Sequence, residues 1–194
     1  MCNTIGNIFR LAIVTASAAA FALQFVVMFN CDFIQFGEAN YASLGLWFYG
    51  VDGTCSDEEF QLEDNEAWFT GAWVSSSRSC LSISMFCGAA ATIMVTFEWL
   101  CCEVCCAGVL EGLAFCGAWV LGLMAFGMYG IDACQNPGEF STWLANSQGN
   151  TDITDSAECV WGLGSTYNLV ACVLYFGSGF LLCCAPQPTP ICRK

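Results

Sequence analysis

Four long apolar segments dominate the chain, separated by polar stretches of very unequal length. They run over residues 8–29, 80–100, 107–130 and 165–184. Each is close to the roughly 20 residues that a helix needs to cross a hydrocarbon core about 30 Å thick. The first is too long for a secretory leader: 19 residues follow Arg10, and the small residues 16–20 lie mid-run rather than at a cleavage boundary. It is therefore expected to persist as a helix. The connections are residues 30–79, the six residues 101–106 and residues 131–164. Both long loops must then lie on one side of the membrane, with the short turn and the termini on the other.

Within the loops the pattern changes from helical to extended. Residues 44–49 and 67–74 combine aromatic, β-branched and small side chains between Gly, Asp and Asn, and 158–163 is a shorter run of the same kind. A lone hairpin is marginal, so strands from both loops are expected to support one another. The predicted fold is an all-α four-helix transmembrane bundle with a small antiparallel sheet formed from loops one and two, in one tetraspan domain.

Composition narrows the chemistry. Of 194 residues, 57% are hydrophobic and 11% charged, against about 25% charged in soluble domains. There is no His, which removes His-based acid/base catalysis, His metal ligation and Ser-His or Cys-His nucleophiles. Only Arg10, Arg78, Arg193 and Lys194 are basic, against 17 acids, which excludes nucleic-acid binding as a main role. Arg10, Arg193 and Lys194 share the side of the termini, so the positive-inside rule makes the termini cytoplasmic. Fourteen acids fall in the two outer loops, against Arg78 alone. No N-x-S/T acceptor occurs.

Close packing holds helices together in lipid, and small residues suit it. Ala16 with Ala20, Ala18 with Ala22, Gly88–Ala91 and the Gly108/Gly112 pair are placed for a tight bundle, with an interface between copies as the sharper alternative. Two ionisable groups interrupt the apolar runs. Arg10 and Glu111 are expected to pair within the membrane, with Glu98 as a competitor for Arg10 and a proton or cation path as the functional alternative. No span shows a polar stripe fit to line a pore. The run Asp57, Glu58, Glu59, followed by Glu63, Asp64 and Glu66, reads as a solvated acidic face or as a weak Ca²⁺ surface.

The 16 cysteines divide by side. Cys31, Cys55, Cys80, Cys134 and Cys159 face the oxidising space, where disulfides persist. Cys134–Cys159 is the first expected bridge, at the base of loop two; Cys31–Cys55 is the second, with Cys55–Cys80 as its rival. On the cytoplasmic side, Cys101, Cys102, Cys105, Cys106, Cys183 and Cys184 are juxtamembrane S-acylation candidates. Four thiols within the six residues CCEVCC make a poor zinc site.

This order of features resembles the claudin-like tetraspan superfamily, which includes claudins, peripheral-myelin-protein relatives, receptor auxiliary subunits and fungal eisosome tetraspans. Gly45-Leu46-Trp47, the Cys55 that follows, and Arg78 before the second span match the family's first-loop motif and its arginine. The Trp ahead of that motif is missing, no second Cys follows before Cys80, and loop two carries a Cys pair that typical claudins lack. Tetraspanins proper fit less well, since their long loop is the second and carries a CCG motif. The resemblance implies a divergent, non-enzymatic scaffold, adhesion or assembly protein of the plasma membrane that self-associates laterally. The alternative is a cation channel, or an auxiliary subunit of a channel or receptor. A thiol oxidoreductase is disfavoured, because the outer cysteines lack CxxC spacing. No cofactor is expected. The expected partners are the bilayer, further copies of the chain or other membrane proteins, and Ca²⁺ on the acidic outer face.

Overall fold

The computed structural model describes residues 4–36, 42–51, 54–59, 71–100, 107–139 and 158–184. Four helices are long and apolar enough to cross a membrane. They are α1 (Thr4–Phe29), α2 (Gly71–Leu100), α3 (Ala107–Met124), which continues as a 3-10 turn over Ala125–Gly130, and a last helix at Leu163–Cys184. A one-turn helix, α4 (Asp132–Gln135), follows the 3-10 segment, so the last long helix is α5. The protein is a multipass membrane protein with a helical bundle and a small sheet.

Three helices begin earlier than hydropathy alone indicated: α1 at Thr4 rather than 8, α2 at Gly71 rather than 80, and α5 at Leu163 rather than 165. The correction is largest for α2, because the segment GAWVSSSRS is too polar to score as membrane yet continues the helical ladder. Thirty residues rise about 45 Å, enough to cross the core and the headgroup layers as well. Arg78 and Cys80 therefore stand inside α2. The short turn 101–106 and the tail 185–194 lie outside the described residues.

The chain divides into two compact units. The first comprises Met1–Phe25, Leu81–Leu123 and Asn168–Lys194. Its core joins Ile13 and Ala20 of α1, Ala91 and Val95 of α2, Phe115 and Ala118 of α3, and Ala171 and Tyr175 of α5, all essentially inaccessible. Buried positions on α1 fall at Gly6, Arg10, Ile13, Ser17, Ala20, Gln24 and Val27, in steps of four and three. On α2 they fall at Val74, Ser77, Leu81, Ser84, Gly88, Ala91 and Val95 in the same rhythm. That is the heptad spacing of knobs-into-holes packing. Elsewhere the helices present bare apolar side chains: Phe86, Ile93, Val109 and Leu113 are each at least 65% exposed, as a lipid-facing surface requires.

The second unit comprises Val26–Cys80 and Met124–Tyr167. It holds one five-stranded antiparallel sheet, β1 (Ile34–Phe36), β2 (Ala42–Leu44), β3 (Phe48–Val51), β4 (Thr54–Glu59) and β5 (Cys159–Trp161), in the order β4-β3-β2-β1-β5. Loop one supplies four strands and loop two the fifth, which pairs Ile34 with Trp161 and Phe36 with Cys159. The expected strand 44–49 is instead a hairpin corner: Leu44 ends β2, Gly45–Trp47 turn, and Phe48 opens β3. The expected strand 67–74 is overturned where it is described, since 71–74 is the first turn of α2; residues 67–70 lie outside the described residues. Trp, Ala and Val suit either state, and only continuity with the following helix decides. The third expectation, 158–163, is trimmed to Cys159–Trp161, since Leu163 already starts α5.

Candidate functional site

The sheet unit is organised around the Gly45-Leu46-Trp47 corner. A Cβ at position 45 would lie 2.0 Å from the Asn30 carbonyl oxygen and 2.7 Å from Cys31 Cα, so only glycine fits. The Gly45 N–H donates to the Phe48 carbonyl at 2.8 Å, closing the corner. Leu46 is fully buried. Arg78 meets the corner from α2: its Nε donates to the Leu46 carbonyl oxygen, and its guanidinium lies 4.8 Å from the centre of the Trp47 ring. A cation over an indole face and a charged donor on a backbone carbonyl both hold the loop against the helix. The arginine thus serves a carbonyl and an aromatic ring.

Two disulfides fasten the same unit. Cys31 is joined to Cys55 and Cys134 to Cys159, with Cα–Cα separations of 5.7 and 5.2 Å. Cys80 is free, so the rival Cys55–Cys80 pairing does not form. The first bridge ties the residues ahead of β1 to β4, and the second ties α4 to β5.

Asp32 was not singled out from sequence, yet it knots the two loops together. Its carboxylate accepts from the Leu163 N–H at 3.2 Å and from Gln35 Nε2 at 3.0 Å, and its carbonyl accepts from the Gly164 N–H at 2.7 Å. The side chain thereby caps the start of α5 from a distant part of the chain, work usually done by a local residue. Beside it, Ser165 donates to the Phe33 carbonyl at 2.6 Å and shares a 2.9 Å bond with Tyr129. Phe126 stacks on Trp161 at 5.2 Å, and Trp161 is still half exposed.

The helical unit contains its own polar groups. Arg10 is 6% exposed and reaches two carboxylates: Nη2 lies 2.7 Å from Glu98, and Nη1 lies 3.1 Å from Glu111. The competitor and the expected partner are therefore both engaged. A second polar layer was not anticipated. Gln24 Nε2 donates to Ser84 Oγ at 2.8 Å, Ser84 donates to the Ala118 carbonyl at 2.6 Å, and Asn168 donates to the Gly122 carbonyl at 2.8 Å. The signal was present in α1, where Arg10, Ser17 and Gln24 recur every seven residues on the buried seam. The stripe exists, although its members are engaged with other protein groups: Arg10 with Glu98 and Glu111, Ser17 with the Val14 carbonyl, and Gln24 with Ser84.

A groove of about 280 Å³ runs along α3 and α5, lined by Gly112, Phe115, Trp119, Phe176, Gly179 and Cys183 among others. Cys183 and Cys184 are exposed thiols at the end of α5; Cys101, Cys102, Cys105 and Cys106 lie outside the described residues. Asp57, Glu58 and Glu59 fall on β4, but their side chains are outside what is described, as are Glu63, Asp64 and Glu66 altogether. Among the described residues no group of three His, Cys, Asp or Glu is placed to hold a metal ion. Comparison of the chain with protein-family models and with curated proteins finds no match to either.

Proposed function

We propose that the chain is a non-enzymatic, claudin-like membrane scaffold that assembles laterally with further copies of itself, in the plasma membrane and with cytoplasmic termini. The observation that carries this reading is the five-stranded sheet. Among the described residues its two outermost strands, β4 and β5, each have one neighbour, which leaves a row of unpaired backbone groups on either edge. Such edges are templates for another chain. Val160 on β5 is 47% exposed and Trp161 52%, so that edge adds apolar surface to its free ladder. The Gly45-Leu46-Trp47 corner and Arg78 support the family resemblance, since both are engaged in holding the loop in place. Acylation of Cys183, Cys184 and the CCEVCC thiols would add anchorage in the cytoplasmic leaflet. Ca²⁺ on the acidic loop would screen repulsion between neighbouring copies.

The test is the oligomeric state of the full chain reconstituted at high density in a bilayer. Oligomers should be present, should strengthen with salt or Ca²⁺, and should weaken on Val160→Lys, which places a charge on an exposed strand edge. A protein that stays monomeric under all these conditions overturns the scaffold reading, and an auxiliary subunit of a channel or receptor then becomes the better one. Thiol labelling of CCEVCC from outside intact cells would overturn the orientation.

A further inference from the structure

The Arg10–Glu98–Glu111 cluster has an unbalanced charge. Its ion pairs set one guanidinium against two carboxylates. Glu111 is 0% exposed, and its Oε1 has no hydrogen-bond partner; Nε of Arg10, itself 6% exposed, has none either. Among the described residues the surrounding elements supply no second cation. Arg10 is the one charged residue of α1, Glu111 is the one of α3, and α5 has none. The titratable side chains of α5 are Tyr167, Cys172, Tyr175, Cys183 and Cys184, none of them cationic. The other charged residue of α2, Arg78, is held at Leu46 and Trp47.

An uncompensated charge inside a membrane protein is expensive, and two carboxylates competing for one partner cannot both ionise freely. The compensating ligand must reach an oxygen without accessible surface. A hard metal ion needs several oxygen ligands and would be repelled by the guanidinium. A proton needs one lone pair and no room.

We propose that the cluster is a binding site for a single proton, shared by the Glu98 and Glu111 carboxyl groups and stabilised by Arg10. The proton comes from hydronium: one of its O–H bonds breaks as an O–H bond forms on a carboxylate oxygen, water is released, and the cluster becomes neutral, with one guanidinium, one carboxylate and one carboxylic acid. The proton belongs to the pair rather than to either residue. The site is independent of lateral assembly and stands whether or not copies associate.

Infrared spectroscopy of the full-length protein in phosphatidylcholine vesicles, in H₂O and D₂O, reads this directly through the carboxylic-acid C=O band. Near neutral pH the surface acids are ionised, so wild type should show the band of one protonated, deuterium-sensitive carboxyl. Glu98→Gln and Glu111→Gln should each abolish it, because the remaining carboxylate then pairs with Arg10. Arg10→Gln should roughly double it, since both carboxyls then lack a counter-charge. The two glutamine variants are nearly isosteric with the neutral acid and decide the matter even if Arg10→Gln does not fold. Absence of the band from wild type, its survival in either glutamine variant, or no gain in a folded Arg10→Gln protein would each overturn the proposal.

Discussion

The two units of this protein meet the same problem, ordering polar groups away from water, by opposite means. The sheet unit uses covalent and backbone ties: two disulfides, a five-strand ladder, and carbonyls capped by Arg78, Ser165 and Gly164. The helical unit contains no disulfide among its described residues and relies on side chains meeting across helices: Arg10 with Glu98 and Glu111, and Gln24 with Ser84. The difference follows from the surroundings. Helices satisfy their own backbones and therefore need only side-chain chemistry and close fit to choose partners. Three-residue strands satisfy little by themselves and need crosslinks to persist.

The largest effect should come from breaking the charged cluster. Arg10→Met removes the counter-charge from the buried Glu111 and the partly buried Glu98, and loss of one partner from a buried ionic group typically costs about 3–5 kcal/mol. Unfolding in lipid nanodiscs should register a loss of that order, with both disulfides still formed. A near-neutral outcome would show that the helical unit draws nothing from its ionic layer and does not differ from the sheet unit in this way.

The reciprocal experiment acts on the sheet unit. Cys134→Ser with Cys159→Ser opens a crosslink spanning 25 residues, for which about 2–4 kcal/mol is expected. Hydrogen exchange should rise over β5 and the neighbouring β1, while α1, α2, α3 and α5 stay inserted, because insertion depends on hydropathy. Loss of protection throughout the helices would mean that the two units do not respond separately.

Legibility in the sequence divides along the same line. Spans were visible because hydropathy accumulates over 20 residues and tolerates errors of detail. The Arg10–Glu111 pairing was visible because charges in apolar runs have few places to go. Of the strands, β5 was visible within 158–163, but β1 and β2 were not, since they are three residues each and their identity lies in register with distant partners. Gln24, Ser84 and Asn168 each look like a tolerated polar residue in its own span; their meaning appears only when three helices bring them together. Asp32 was hidden for the same reason, since it caps a helix that begins 131 residues later.

A third, smaller effect tests close fit. A Cβ at Gly88 would lie 2.2 Å from the Tyr175 hydroxyl oxygen and 2.3 Å from ring carbon Cζ. Gly88→Val should therefore overpack the bundle and cost about 1–3 kcal/mol. Pairing it with Tyr175→Leu should return much of that loss, and the double-mutant cycle should show a coupling of about 0.5–3 kcal/mol. Additive losses would mean that the contact between α2 and α5 is not where the packing is decided.

The smallest effect is expected at the pair that looked most like a packing motif. Gly108 and Gly112 have the GxxxG spacing of helix interfaces, which suits either the interior of the bundle or an interface between copies. The structure gives that task to Gly88 and to Gly122, where a Cβ would come 2.6 Å from Cys172 Sγ and 3.1 Å from Gln24 Nε2. At Gly108 and Gly112 an added Cβ meets nothing within 4 Å. With no clash to offset it, the helix propensity of alanine should prevail, worth up to about 1 kcal/mol per site. Gly108→Ala with Gly112→Ala should thus leave stability unchanged or slightly raised, whereas Gly122→Ala should lower it. The same double variant also separates fold from assembly. If copies pack on this face, dimers in vesicles weaken while the single chain does not; if assembly runs through the sheet edges alone, neither changes. A large loss of single-chain stability would instead place the pair back in the bundle interior and remove the distinction between the two kinds of glycine.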